Sequence, residues 1–146
     1  MQPYEHIVDH KLITDWFGYW PSFHDAEILS MHLDRGPSGK EPGPSLLVRL
    51  HAFEPTSEVD ERGYCKLRKH AIITLEFAGM DEIALDRFNS QNVIFQMDVD
   101  EAVNQEGSSG LNIAFHSSFG VGCDFRCRLA RVVSVEPGKP SDGVCA

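Results

Sequence analysis

Trp20-Pro21-Ser22-Phe23-His24-Asp25-Ala26-Glu27 concentrates aromatics, a proline, a histidine and two carboxylates in one short stretch. A histidine among carboxylates has the groups needed for acid–base catalysis or for holding a cation. Spacing limits both. In an extended chain the adjacent His24 and Asp25 point to opposite faces, so His24 needs a partner from another strand, such as His51, Glu54 or His116. Asp25 and Glu27 then share one side about 7 Å apart, which suits a two-carboxylate site or a cation. The plainer reading has the histidine and acid bonding backbone groups and fixing a turn at the entrance of a strand. A small metal-dependent hydrolase or ligand-binding module centred on His24, Asp25 and Glu27 is therefore the alternative here, and the structural role is favoured.

Other reactive patterns are weaker. Seven histidines are scattered singly, with neither HxH nor HExxH spacing, and His32, His51, His70 and His116 fall mostly on polar strand faces. Cys65, Cys123, Cys127 and Cys145 include no CxxC pair. If Cys123 and Cys127 share a strand they stand roughly 13 Å apart, too far for a disulfide. All four are read as thiols, three of them buried or half-buried as small core hydrophobes. No GxSxG and no phosphate-cradling glycine loop is present, and Ser117 to Gly122 reads as a hairpin turn. The sequence thus points to no catalytic residue, no metal and no cofactor.

The elements that must position these residues follow from periodicity. Asp9 is a suitable N-cap for a short helix carrying Leu12, Ile13, Trp16 and Phe17 on one face, stopped by Gly18. Trp20 before Pro21 is held out of the helical region and turns the chain. Period-two alternation then predicts strands over 27–33, 46–53, 70–77, 93–99 and 111–116, a shorter piece at 82–85, and one long strand through Cys123, Phe125, Cys127, Leu129, Arg131, Val133 and Val135. Pro55 to Lys69 reads as a long polar connection, and Gly107 to Gly110 as a turn. Without βαβ spacing, the expectation is an α+β, mainly β fold. It is a twisted antiparallel sheet of six or seven strands covered by the N-terminal helix, with a sandwich or half-barrel fitting nearly as well. Residues 1–136 form one domain and 137–146 a flexible tail.

The 146 residues carry a net charge of −9, which repels nucleic acid and anionic membrane and favours a basic partner. The acid is clustered: Glu54, Glu58, Asp60 and Glu61 in one segment, and Asp98, Asp100, Glu101 and Glu106 in another. Basic runs at Arg62, Lys66, Arg68 and Lys69 and at Arg126, Arg128 and Arg131 stand against them. No apolar run is long enough to span a membrane. The first residues lack the basic and apolar regions of a signal peptide, so a cytoplasmic location is expected.

Trp16-Phe17 followed by Gly18-Tyr19-Trp20-Pro21-Ser22-Phe23-His24-Asp25-Ala26-Glu27 resembles the signature of immunity protein family 50 of bacterial polymorphic toxin systems. Phe88-Asn89-Ser90-Gln91-Asn92-Val93-Ile94, Phe115-His116-Ser117-Ser118-Phe119-Gly120 and Phe125-Arg126-Cys127 continue the similarity, which covers roughly residues 10–136. The resemblance implies a non-enzymatic cytosolic inhibitor that neutralises a cognate toxin by stoichiometric binding. Trp20, Pro21, Phe23, His24, Asp25 and Glu27 are the family-motif residues, the first three expected in structural roles. The charge reading adds toxin-binding candidates in Glu54, Glu58, Asp60 and Glu61, joined by Asp98, Asp100 and Glu101, facing a basic toxin domain.

Overall fold

The computed structural model describes residues 1–36, 41–103 and 109–140. Its strands are β1 (Glu27–Asp34), β2 (Ser45–Val59), β3 (Cys65–Ala78), β4 (Ile83–Asp86), β5 (Val93–Val103), β6 (Ser109–Phe119), β7 (Gly122–Cys127) and β8 (Leu129–Pro137). They form a single open antiparallel sheet in the order β4-β7-β6-β5-β1-β2-β3-β8. The expectation of a mainly β fold built on one antiparallel sheet holds, with eight strands among the described residues in place of six or seven.

Alternation produces one dry face. Leu46, Val48, Leu50 and Ala52 of β2, Ala71, Ile73, Leu75 and Phe77 of β3, Leu111, Ile113 and Phe115 of β6, and Cys123, Phe125 and Cys127 of β7 are all buried together. Helix α1 (Lys11–Phe17) adds Ile13 and Phe17 to this inner core and ends at Gly18, whose φ of 88° is the left-handed cap a glycine adopts freely. Asp9 does not cap the helix. It has φ 61°, and His10 stands at the N-cap position. Trp16 donates Nε1–H to the Lys69 carbonyl, and the Lys69 ammonium donates to the Phe17 carbonyl, so helix and β3 are tied from both sides. Val8 bridges β8: its N–H bonds the Ala130 carbonyl, and its own carbonyl accepts from Val132 N–H. The outer edge of β8 is thereby partly covered.

Two readings of the chain are corrected. The polar stretch Pro55 to Lys69 is a paired hairpin arm, with Glu54 opposite Arg68, Pro55 opposite Leu67 and Val59 opposite Cys65. Its turn is closed by Asp60, whose Oδ1 accepts the N–H groups of Arg62 and Tyr64. The long final strand is two strands. β7 pairs with β6 and β4, whereas β8 pairs with β3 at the far side of the sheet. Burial changes parity between them, from Cys127 to Ala130 and Val132, leaving Val133 partly exposed. The expected turn at Gly107–Gly110 falls partly outside the described residues, and Ser109 and Gly110 already belong to β6. Residues 141–146 of the expected tail, with Cys145, also lie outside them.

One discontinuity sets the position of the motif. β1 pairs with β2 along its length but meets β5 only at Glu27 opposite Val93. Being antiparallel to β1, strands β2 and β5 run the same way and part beyond that point. Residues 19–26 fill the opening. Asp25 N–H bonds the Ile94 carbonyl, Ile94 N–H bonds the Ala26 carbonyl, and Met97 N–H bonds the Ser22 carbonyl. Across the opening, the Tyr19 hydroxyl donates to Glu54 at 2.8 Å.

Candidate functional site

The motif is a wedge built around two left-handed residues, Phe23 at φ 63° and Asp25 at φ 65°. Each such conformation costs roughly 1–2 kcal/mol outside glycine, offset here by the three backbone bonds to β5 and by burial. Pro21 and Phe23 are buried, and Trp20 stacks on Tyr4 at 4.8 Å and meets Phe23 edge-on at 5.6 Å. Because this backbone is not extended, His24 and Asp25 do approach one another, contrary to the strand-based expectation: Nε2 lies 3.4 Å from Asp25 Oδ2. The other ring nitrogen, Nδ1, is 2.9 Å from the Phe95 carbonyl, and the ring meets Phe95 edge-on at 5.2 Å. Nδ1 donates to the Phe95 carbonyl and the ring lies against Asp25, so the histidine ties the wedge to β5. Asp25 and Glu27 do not share a strand side. Asp25 precedes β1, and Glu27 sits in β1 opposite both His51 and Val93. Among the described residues no three His, Cys, Asp or Glu side chains are placed to hold a metal ion.

The acidic candidates separate into different environments. Glu54 is buried at 8% exposure and is committed to Tyr19, Arg68 and Lys69. Hydrogen bonds from Tyr19 and Arg68 hold its carboxyl below the usual carboxylate range. It is a tether between the wedge and β3 and lies off any open acidic face. Glu58, Asp60 and Glu61 are exposed at the tip of the β2–β3 hairpin. Counting Glu54, this arm holds four carboxylates and also four cations, Arg62, Lys66, Arg68 and Lys69, so it has no net charge. Glu101 Oε1 lies 2.5 Å from the ring Nε2 of His6.

Asp98 and Asp100 lie elsewhere, on the outer face of the sheet. Register places Ala84, Asp124, Ala114 and Asp98 in one row across β4, β7, β6 and β5, and Arg126, Asn112 and Asp100 in the next. Two clefts of about 430 and 630 Å³ lie on this face. Together they are bordered by Glu82, Asp86, Asp98, Asp100 and Asp124, with Arg126 as the lone arginine and His116 beside Asp98 at 2.7 Å.

Sequence reasoning missed a stacked pair, His51 and His70, on β2 and β3. Their nitrogens are 3.0 Å apart and their rings nearly parallel, with Phe53 packed against both. Burial first, then His70 and Lys139, push His51 down to about 4, and His70 is lowered by burial and Lys139. Only the hairpin register made them neighbours. Cys123 and Cys127 are buried and their thiols pushed up to about 12, so they pack and do not react. Cys65 is exposed.

A protein-family model described as Immunity protein 50 matches residues 9–138, nearly the whole described chain and the wedge with it. The chain belongs to the immunity protein 50 family. No curated protein and no solved structure matches it. In this immunity protein the signature Trp20 to Glu27 is the piece that closes the opening between β2 and β5. Its residues therefore hold this sheet together, whatever else they touch. Membership also implies a partner toxin, which moves attention from the wedge to the open surfaces.

Proposed function

We propose that this immunity protein binds a cognate bacterial toxin domain one to one in the cytoplasm and silences it by covering its active site, with no reaction of its own. The family match over residues 9–138 carries the reading. Local chemistry agrees with it: His24 is tied to the Phe95 carbonyl beside Asp25, and the buried thiols are held protonated. A net charge of −9 favours a basic toxin domain and draws it in over long range, accelerating encounter by about 10- to 1,000-fold at low salt.

Co-expression tests the reading. The toxin encoded beside this chain's gene is induced in bacterial cells with and without the chain. Growth is restored only when both are made, and the two polypeptides purify together in equal amounts. Cells that remain poisoned while this chain accumulates in folded form overturn it.

A further inference from the structure

We infer that the toxin docks on the outer face of β5, β6, β7 and β4, with Phe95 and Phe119 as apolar anchors and the surrounding carboxylates meeting a basic surface. The inference rests on the immunity reading and names the surface that reading needs.

The anchors come from a local irregularity. Pairing between β5 and β6 shifts register twice around Ile94: Val93 faces Phe119, Ile94 faces Ser117, and Gln96 faces His116. Such bulges re-aim side chains. Ile94 and Met97 stay in the core, while Phe95 is left 51% and Phe119 61% exposed. Val93, opposite Phe119, is also opposite Glu27, and Glu27 is opposite His51. Register thus puts Phe119 on the outer face. Phe95 is held by the edge of His24, whose ring is bonded to the Phe95 carbonyl. An aromatic fixed before binding loses little freedom on contact, which is the condition for a strong anchor.

Charge identifies the occupant. Around the clefts five carboxylates stand against Arg126. Glu82, Asp86, Asp100 and Asp124 form no salt bridge among the described residues. The β2–β3 hairpin arm, by contrast, balances its four acids with four cations. Ala84, Ala114 and Gly122 keep the floor of the clefts low, leaving room for long lysine and arginine side chains to enter between the carboxylates. Exposed apolar anchors combined with polar, charged groups are the ordinary composition of a protein interface. The rim sets how fast the toxin arrives and the anchors how slowly it leaves.

The test measures association and dissociation rates between the full chain and the catalytically inactivated product of the adjacent toxin gene. If the unaltered chain does not bind, the immunity reading itself falls, and this inference with it. If it binds, Phe95→Ala with Phe119→Ala should raise the dissociation rate about 30-fold or more. Glu82→Gln with Asp100→Asn and Asp124→Asn should slow association about fivefold or more and flatten its salt dependence. A hairpin-tip control, Glu58→Gln with Glu61→Gln, should leave both rates within about twofold. Binding that survives both outer-face variants, or that is damaged more by the hairpin-tip control, overturns the docking face while leaving the immunity reading intact. Should the phenylalanine variant fail to fold, the carboxylate variant decides alone, since its three side chains have no ionic partner to lose.

Discussion

Glu54 shows how differently the same residue reads before and after folding. In the chain it opens an acidic run; in the molecule it is the joint at which Tyr19 of the wedge, Arg68 and Lys69 converge. Its carboxyl titrates low, so the stability it supplies is present above the ordinary carboxylate pKa and is lost as pH falls through the folded value. Glu54→Gln leaves Arg68 and Lys69 without their counter-charge. It should lower the melting temperature by about 3–10 °C at pH 7, with a smaller loss at pH 3, as measured by thermal unfolding. An unchanged melting temperature would mean the joint does not hold the wedge. The motif residues were legible as a group but not as a geometry. Positive φ at Phe23 and Asp25 cannot be read from residue types that normally avoid it, and it is this backbone that brings His24 against Asp25.

At the level of elements, the alternating core strands and α1 were readable because burial on one face imposes period two, and on a helix a one-sided stripe. Two features were not. Extension of β2 and β3 through Pro55 to Lys69 depends on cross-strand pairs such as Glu54 with Arg68, and polar arms of this kind carry no apolar period. The break between β7 and β8 was masked because Leu129, Val133 and Val135 continue the parity of Cys127. Arg131 on that supposed apolar face was the signal against a single strand. The His51–His70 stack belongs to the same hidden register. With His51 held near 4 in the folded chain and near its ordinary value when unfolded, the unfolded state binds the proton first as pH falls. Stability should therefore decline between about pH 6.5 and 4, and the lowered His70 acts in the same direction. Denaturant unfolding at pH 7 and pH 5 should show a loss of about 1–2 kcal/mol attributable to the pair. A His51→Gln, His70→Gln chain should lack that part of the slope. An identical slope in both chains would show that the pair does not titrate with folding.

For the molecule as a whole, net charge was legible at once but its placement was not. The sequence grouped acids by adjacency, whereas the sheet regroups them by register: Glu54 goes inside, the hairpin arm is neutral as a whole, and Asp98 and Asp100 of β5 join Asp124 of β7 and Glu82 just ahead of β4. What results is an open sheet with a dry inner face and, across β4, β7, β6 and β5, an acidic outer face. On the function proposed above, such a scaffold acts by occupying a partner, and occupancy has a characteristic stoichiometry. The direct measurement is a titration of the purified toxin domain's activity with increasing amounts of this chain. Activity should fall linearly to zero at one chain per toxin and return when the complex is dissociated. Complete loss at a small fraction of an equivalent, which would mean this chain turns over, or full activity at large excess would contradict the account.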